Sequence, residues 1–290
     1  NRMLILRASP LSLRQVTPVP ESRGLKVRIN KRDENPPVAE VELVLSDSGH
    51  SDIFDRLIED IIEKANEPAD EKLGVARFLS RLAEWQQILM RLPSEALSNE
   101  RQQGLWGELW VLQQIIAPPQ NLYDAITAWQ GPTGSDQDFQ LPGLAIEVKT
   151  STANTLERIS IASERQLHVP NGIDLVLAAI LLDRRPGHGQ TLPELVNEIR
   201  TQATDAGGAS RLNASLRLCG YDDAHDHQYA SVGYTVLRVE QFLVTPGFPR
   251  IVPDALESGV SNVSYSISEP ACLPFSIGDH ELTELIGGTK

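Results

Sequence analysis

Short apolar runs and longer helical patterns follow one another through the first third of the chain. Three runs predict strands: Leu4–Arg7, Leu25–Ile29 and Val41–Leu45. Two patterns with apolar residues three and four positions apart predict helices, one from Ser51-Asp52, with Asp52 as N-cap, and one from about Asp70 to Leu92, which Pro93 ends. Residues 1–97 are therefore predicted to form a small β-then-α unit.

The pattern changes after residue 97. An almost wholly apolar helix is predicted over Ser98–Ile116, and a hairpin over Asp138–Leu141 and Leu144–Thr150, because Pro142-Gly143 favours a tight turn. The elements predicted next are a helix over Ile159–Val169, a buried strand over Ile173–Leu182, helices over Leu192–Ala206 and Ser210–Leu218, and strands over Ser231–Val244 and Ser261–Ser268. Residues 98–290 thus predict an α/β core, with a mixed central sheet flanked by helices and C-terminal strands.

The charge of the chain is acidic and unevenly distributed. A net charge of −13 argues against tight non-specific DNA binding, which is mostly electrostatic. Residues 1–32 nevertheless carry eight basic side chains and one acidic side chain. This basic segment could meet a phosphate backbone, or it could be a solvated strand edge on which cations prevent aggregation. The sequence leaves both interpretations open.

The cysteine content and the hydropathy of the chain indicate the cellular compartment in which the protein is expected. Cys219 and Cys272 have no CxxC spacing, which is typical of a reducing cytoplasm and not of a zinc site or a disulfide framework. No run approaches the ~20 apolar residues that a membrane helix needs. A cytoplasmic protein with no membrane partner is expected.

Candidate chemistry lies on the second predicted strand of the hairpin. Glu147 and Lys149 are one residue apart, so a strand projects both from one face, while Ile146 and Val148 face the core. A surface strand with a salt bridge would show the same pattern. Two further carboxylates favour a catalytic site: Asp138 lies across the predicted hairpin, and Glu108 lies on an otherwise apolar helix, where it needs a partner or a metal.

These residue types suit metal-dependent phosphodiester hydrolysis. Mg²⁺ prefers oxygen ligands and keeps several waters, and Mn²⁺ is expected to substitute for it. Asp138, Glu147 and the backbone carbonyl of Val148 are predicted to hold the cation, with Glu108 completing the first shell or binding through water. Lys149 would orient the attacking water and offset developing negative charge.

Several motifs follow one another along the chain: Gly104-Leu105-Trp106-Gly107-Glu108-Leu109, Trp129-Gln130-Gly131-Pro132, Asp138-Phe139, Ile146-Glu147-Val148-Lys149-Thr150, Ser163-Glu164-Arg165-Gln166-Leu167, Phe248-Pro249-Arg250-Ile251 and Val263-Ser264-Tyr265. In this order they resemble the PD-(D/E)XK nuclease superfamily, and in particular the bacterial "PD-(D/E)XK motif protein" family of restriction-like proteins. The resemblance covers about Gly24 to Phe275. It departs from the superfamily pattern where Gln137, in place of proline, precedes the aspartate, which leaves Asp136 as a rival ligand.

The resemblance implies a restriction-endonuclease-like fold and a DNA endonuclease in restriction or phage defence, working beside an ATPase and other subunits. Because a duplex cut needs two active sites, a homodimer or a complex is expected. The alternative is a catalytically silent scaffold or DNA-binding subunit with the nuclease fold. RNA or branched DNA as the substrate also stays open.

Some polar residues near the predicted strand could bind substrate. Gln166, on the helix predicted after Lys149, could orient the lysine or touch DNA, or be an exposed helix glutamine. Ser151, Thr152 and Asn154 follow the strand and could bind phosphate oxygens, or form a helix cap or loop. For the segment His225-Asp226-His227 a solvated loop is favoured over a metal site, because further ligands at a regular spacing are missing.

Overall fold

A computed structural model describes residues 3–12, 25–32, 37–45, 51–65, 70–90, 95–152, 157–170, 172–203 and 206–288. By its internal contacts the chain divides into two compact units. The first comprises Asn1–Ser94 together with Asn213–Gly220, and the second comprises Glu95–Leu212 together with Tyr221–Lys290.

A three-stranded antiparallel sheet opens the first unit. Its strands are β1 (Met3–Ala8), β2 (Leu25–Arg32) and β3 (Val38–Leu45), in the order β1-β3-β2. On the central strand Ala39, Val41, Leu43 and Leu45 are buried, as their alternation predicts. The three predicted strands are therefore confirmed.

Two helices, α1 (Ser51–Ala65) and α2 (Glu71–Met90), complete this unit and confirm the two predicted helices. Leu57, Ile61, Leu82 and Trp85 are fully buried in one core with the apolar face of the sheet. The predicted N-cap side chain of Asp52 and the predicted stop at Pro93 lie outside the described residues.

The second unit begins with α3 (Asn99–Val111), which Ser98 caps by accepting a hydrogen bond from the backbone N–H of Arg101 at 3.3 Å. A π-helical turn over Leu112–Ile116 extends it, so the predicted helix is confirmed over nearly its full length. The short helix α4 (Leu122–Ala128) and then the hairpin of β4 (Phe139–Leu141) and β5 (Leu144–Ser151) follow.

The central sheet of this unit is mixed. It contains β4, β5, β7 (Asp174–Pro186), β8 (Gln190–Thr191) and β9 (Val232–Leu243), in the order β4-β5-β7-β9-β8. Strand β5 runs parallel to β7, and the remaining pairs are antiparallel. This unit also contains α5 (Leu192–Gln202) and α7 (Asp226–Tyr229), while α6 (Ala206–Leu218) begins in it and belongs to the first unit from Asn213 onward. The predicted α/β fold with a mixed central sheet is confirmed.

The predicted helix over Ile159–Val169 is wrong. Residues Arg158–Ile161 form β6, which pairs antiparallel with β10 (Tyr265–Ser268). Ile159 and Ile161 are buried and their neighbours are exposed, which is the two-residue period of a strand.

The residues after β6 form turns that a distant side chain holds. The Gln137 amide is buried and donates hydrogen bonds to the carbonyl oxygens of Arg165 and His168, at 2.9 and 3.0 Å. A helix would have engaged such carbonyls in its own backbone ladder. A long-range contact therefore stabilises a conformation that local pattern could not predict.

The chain ends in two helices that the hydrophobic pattern did not predict, α8 (Glu269–Cys272) and α9 (Asp279–Gly287). Of the helices that the structure describes, none combines the length and apolarity needed to cross a membrane.

Candidate active site

Strand β5 carries the first two candidate residues on one face. Glu147 is only 1% exposed, and its Oε1 lies 2.6 Å from the Nζ of Lys149. Ile146 and Val148 are buried on the opposite face, which agrees with the predicted alternation. A buried carboxylate and a partly exposed ammonium group therefore lie side by side.

Asp138 lies immediately before β4. Phe139 pairs with Ile146 in the hairpin, so the same register places Asp138 opposite Glu147. Its Oδ2 accepts a hydrogen bond from the backbone N–H of Val148 at 2.8 Å. Its backbone oxygen accepts from the N–H groups of Gln130 and Gly131, at 2.8 and 3.0 Å. Both the side chain and the backbone of Asp138 are thereby oriented.

Glu108 reaches the same region from α3. Its Oε2 accepts a hydrogen bond from Nε1 of the fully buried Trp129 at 2.8 Å. A Cβ atom placed on Gly131 would lie 3.1 Å from Oδ1 of Asp138 and 3.6 Å from Oε2 of Glu108. The two carboxylates therefore border one small space, which the missing side chain of Gly131 leaves open.

The three carboxyl groups share one electrostatic environment. Burial, and after it the Asp138 carboxylate, raises the pKa of Glu108 to about 8 against the opposing effect of the Trp129 hydrogen bond. Burial also raises the pKa of Asp138, and raises that of Glu147 well above its usual range with a contribution from Asp138. The charge of Lys149 acts in the opposite direction and lowers the pKa of all three carboxyl groups. Three buried carboxyl groups beside a single lysine favour the binding of an additional positive charge.

The donor set fits a hard cation. Oε2 of Glu147 is buried and has no hydrogen-bond partner among the described residues, and the possible ligand atoms nearby are carboxylate oxygens. Within the described ranges, however, no three His, Cys, Asp or Glu side chains are arranged to hold a metal. Asp138 and Glu108 are turned toward the N–H donors of Val148 and Trp129. The donor types therefore suit a hard divalent cation, although the orientation of these side chains does not form a metal site.

The structure separates the two rival aspartates. Asp136 is exposed, while Asp138 is partly buried against the backbone of β5. Gln137 lies between them in the sequence, and its side chain donates hydrogen bonds to carbonyl oxygens of the turn at 165–168. The geometry therefore places Asp138 with Glu147 and leaves Asp136 on the surface.

The candidate substrate-binding residues are dispersed. Gln166 is not on a helix, and its Oε1 accepts a hydrogen bond from the backbone N–H of Ala162 at 2.8 Å, so its side chain stabilises its own turn. Ser151 ends β5, two residues beyond Lys149, and the exposed Thr152 follows it. Asn154 lies outside the described residues.

The segment His225-Asp226-His227 forms short helical turns, and Asp226 accepts a hydrogen bond from the Tyr221 hydroxyl at 2.6 Å. No metal-binding group is found there in the part of the chain that the structure describes.

Two residues at the site escaped the sequence reasoning. Trp129 is fully buried, and its indole N–H holds Glu108. Gly131 leaves room beside both carboxylates. The Trp129-Gln130-Gly131-Pro132 motif was the available signal, because it lies next to the aspartate in the sequence.

The mixed sheet, flanking helices and carboxylate–lysine cluster define an α/β protein with a restriction-endonuclease-like fold. Residues 1–268 match the model of the family described as "Putative PD-(D/E)XK family member, (DUF4420)". The chain belongs to this family. A search of the curated proteins and a search of the solved structures each found no match.

Proposed function

We propose that this protein is a metal-dependent DNA endonuclease that hydrolyses phosphodiester bonds in a bacterial restriction or phage-defence system in the cytoplasm. One observation supports this above the others: buried Glu147, with an unpartnered oxygen, lies beside Lys149 and opposite Asp138. The family assignment agrees with it, since PD-(D/E)XK proteins are generally nucleases.

The residues proposed to hold Mg²⁺ or Mn²⁺ are Asp138, Glu147, the backbone carbonyl of Val148 and Glu108. When bound, the cation would polarise the scissile phosphate and acidify a coordinated water. Glu147 lies on β5 and Asp138 immediately precedes β4, so the pairing of Phe139 with Ile146 and the hydrogen bond from Val148 hold Asp138 near Glu147. The position of Glu108 is determined separately, by helix α3 and by the hydrogen bond from Trp129.

Lys149 is proposed to orient the attacking water and to offset the negative charge that develops on the phosphate. Its side chain is 20% exposed, while that of its partner Glu147 is 1% exposed, so the ammonium group is on the solvent side of the pair. Ser151 and Thr152, farther along the same segment, are proposed phosphate contacts.

The proposed assembly follows from the chemistry of a duplex cut and from charge. One active site cuts one strand, so a homodimer or a complex with further subunits is proposed. A chain with a net charge of −13 binds DNA weakly by itself. Other defence subunits, such as an ATPase, would deliver the DNA.

The test is cleavage of supercoiled plasmid with Mg²⁺, with Mn²⁺ and with EDTA. Asp138→Asn and Lys149→Ala should each reduce metal-dependent cleavage by about 100-fold or more, the scale expected when a charge-stabilising group is lost. Asp136→Asn and Lys72→Ala are matched controls at exposed positions and should cleave like the wild type.

Two results would contradict the proposal. Cleavage that survives in both site variants would show that the activity does not come from these residues. Wild-type protein that cuts nothing, alone or with its partner subunits, would favour the catalytically silent scaffold.

A further inference from the structure

The three-stranded sheet of the first unit has one face turned away from its core. Leu4, Leu6 and Val27 pack inward with the buried residues of β3. The alternate positions form the outer face: Met3, Ile5 and Arg7 on β1, Lys26, Arg28, Asn30 and Arg32 on β2, and Val38, Glu40, Glu42 and Val44 on β3. This face belongs to neither the core nor the candidate active site.

The outer face is basic although the chain is acidic. It carries four basic and two acidic side chains among the described residues, while the whole chain has a net charge of −13. Arg7 and Arg32 are 65% and 54% exposed, and Lys26 and Arg28 are also exposed. The outer face therefore carries a local excess of positive charge on a chain that is acidic as a whole.

The cations border the face and the acids lie between them. Glu40, on the central strand, is 1% exposed and forms ion pairs with Arg7 and Arg32 at 2.9 Å each. Lys26 and Arg28, on the edge strand β2, form no hydrogen bond or ion pair with another described residue. Their charges are therefore available to a ligand.

We propose that the outer face binds the phosphate backbone of DNA, with Lys26 and Arg28 contacting phosphates. This rests on the proposed function for the choice of DNA, and it adds a second contact surface to the active site. Basic side chains bind duplexes by neutralising phosphates and releasing counterions, so this contact carries no sequence information. It would supply affinity that the acidic remainder of the chain lacks.

The competing explanation is that edge cations only prevent strands of different molecules from pairing. Under that explanation, removing Lys26 and Arg28 would promote self-association and leave DNA affinity unchanged. The two explanations therefore differ in a measurable quantity. Arg7 and Arg32 stay unmutated, because they also stabilise buried Glu40.

The experiment compares two double variants of the full chain that have the same net charge. Lys26→Ala with Arg28→Ala removes the proposed contacts. Lys72→Ala with Arg101→Ala removes one lysine and one arginine that are exposed on helices. Affinity for a fluorescent DNA duplex is measured by anisotropy in EDTA, over a series of salt concentrations. Circular dichroism and sedimentation establish folding and self-association for each protein.

The proposed contacts predict an affinity lower by about tenfold or more for Lys26→Ala with Arg28→Ala, and a salt slope smaller by roughly 2, since each phosphate contact contributes about one unit of slope. The single variants Lys26→Gln and Arg28→Gln should each lower the slope by roughly 1. The control pair should match the wild type.

Equal affinities for the two double variants would overturn the inference, and so would a wild type that does not bind the duplex at the lowest salt concentration. Cleavage is measured separately with Mg²⁺. Binding through Lys26 and Arg28 without cleavage, either by the protein alone or with its partner subunits, would contradict the endonuclease and still support this binding surface.

Discussion

At the scale of single residues, the candidate site depends on partners that hold each carboxylate. Trp129 connects two of them: its indole binds Glu108, and the next two residues bind the backbone of Asp138. The segment from 129 to 131 therefore orients acids that lie on separate elements. Its contribution is positional, because the indole touches Glu108 and is itself fully buried.

Trp129→Phe tests this connection. The ring is kept and the N–H donor is lost, so stability should fall by about 1–3 kcal/mol, the cost of leaving a buried acceptor without its donor. Metal-dependent cleavage should fall as well, since Glu108 loses its orientation. Urea unfolding and plasmid cleavage are the measurements.

Trp85→Phe is the matched control. Trp85 also donates its indole N–H to a buried carboxylate, Asp60, at 2.6 Å. The control should lose stability on a similar scale but keep the wild-type cleavage rate per folded molecule. If both variants lost cleavage equally, Trp129 would have only a general structural role.

At the scale of elements, the approach of α3 to β5 determines where Glu108 lies. A Cβ atom at Gly107 would collide with the Thr150 side chain and would lie 3.9 Å from Val148 Cγ1. Glycine at this position therefore permits the contact between helix and strand. The residue that follows it is Glu108, so the packing contact and the candidate site are coupled.

Gly107→Ala should cost about 1–3 kcal/mol, as for other overpacked contacts, and should reduce cleavage by displacing Glu108. Gly104, one turn earlier on α3, has no atom within 4 Å of the corresponding position. Gly104→Ala should therefore be neutral or raise stability by about 0.5–1 kcal/mol, since alanine favours a helix interior. Thermal unfolding measures both, and equal effects would contradict the packing interpretation.

The sheet of the first unit should show a pH-dependent stability. The hydrogen bond from Arg32 and the charges of Arg32 and Arg7 hold the pKa of Glu40 below its ordinary value of 4.5. A carboxyl group whose pKa is lower in the folded state stabilises the fold above its unfolded pKa, and that contribution is lost as the pH falls through the folded pKa.

Glu40→Gln should therefore be less stable than the wild type at neutral pH, and the difference should shrink on acidification below pH 4.5. Urea unfolding at a series of pH values measures the difference. A gap that stays constant with pH would mean that the charge of Glu40 does not stabilise the sheet.

At the scale of the whole molecule, the described residues of one chain form one carboxylate–lysine cluster, and a double-strand break needs two. We expect nicked plasmid at low protein concentration and linear plasmid only as the concentration rises. Gel analysis over a dilution series, beside sedimentation of the free protein, tests this. Linear product that forms in proportion to protein from the lowest concentration, with a monomer in solution, would contradict a requirement for two chains.

The sequence predicted those parts of the structure that depend on contacts between residues near one another in the chain, and it failed where contacts between distant residues decide the conformation. Strand alternation predicted the faces of β3 and β5, because a two-residue period is local. The run at Ile159–Val169 was misread, because its turn is held by Gln137, more than twenty residues away. The roles of Glu108, Asp138, Glu147 and Lys149 stay predictions, although the structure brings these side chains into one region.

The sequence by itself determined the elements whose periodicity is local, the acid and lysine on one face of β5, and the family motifs in their order. Only the tertiary structure decided that Asp138 binds the backbone of Val148, that Trp129 holds Glu108, and that Gly131 leaves space between two carboxylates. The physical reason is that hydrogen bonds and packing between distant segments leave no repeating pattern along the chain. Periodicity predicts which face a side chain occupies, and packing decides what it meets there.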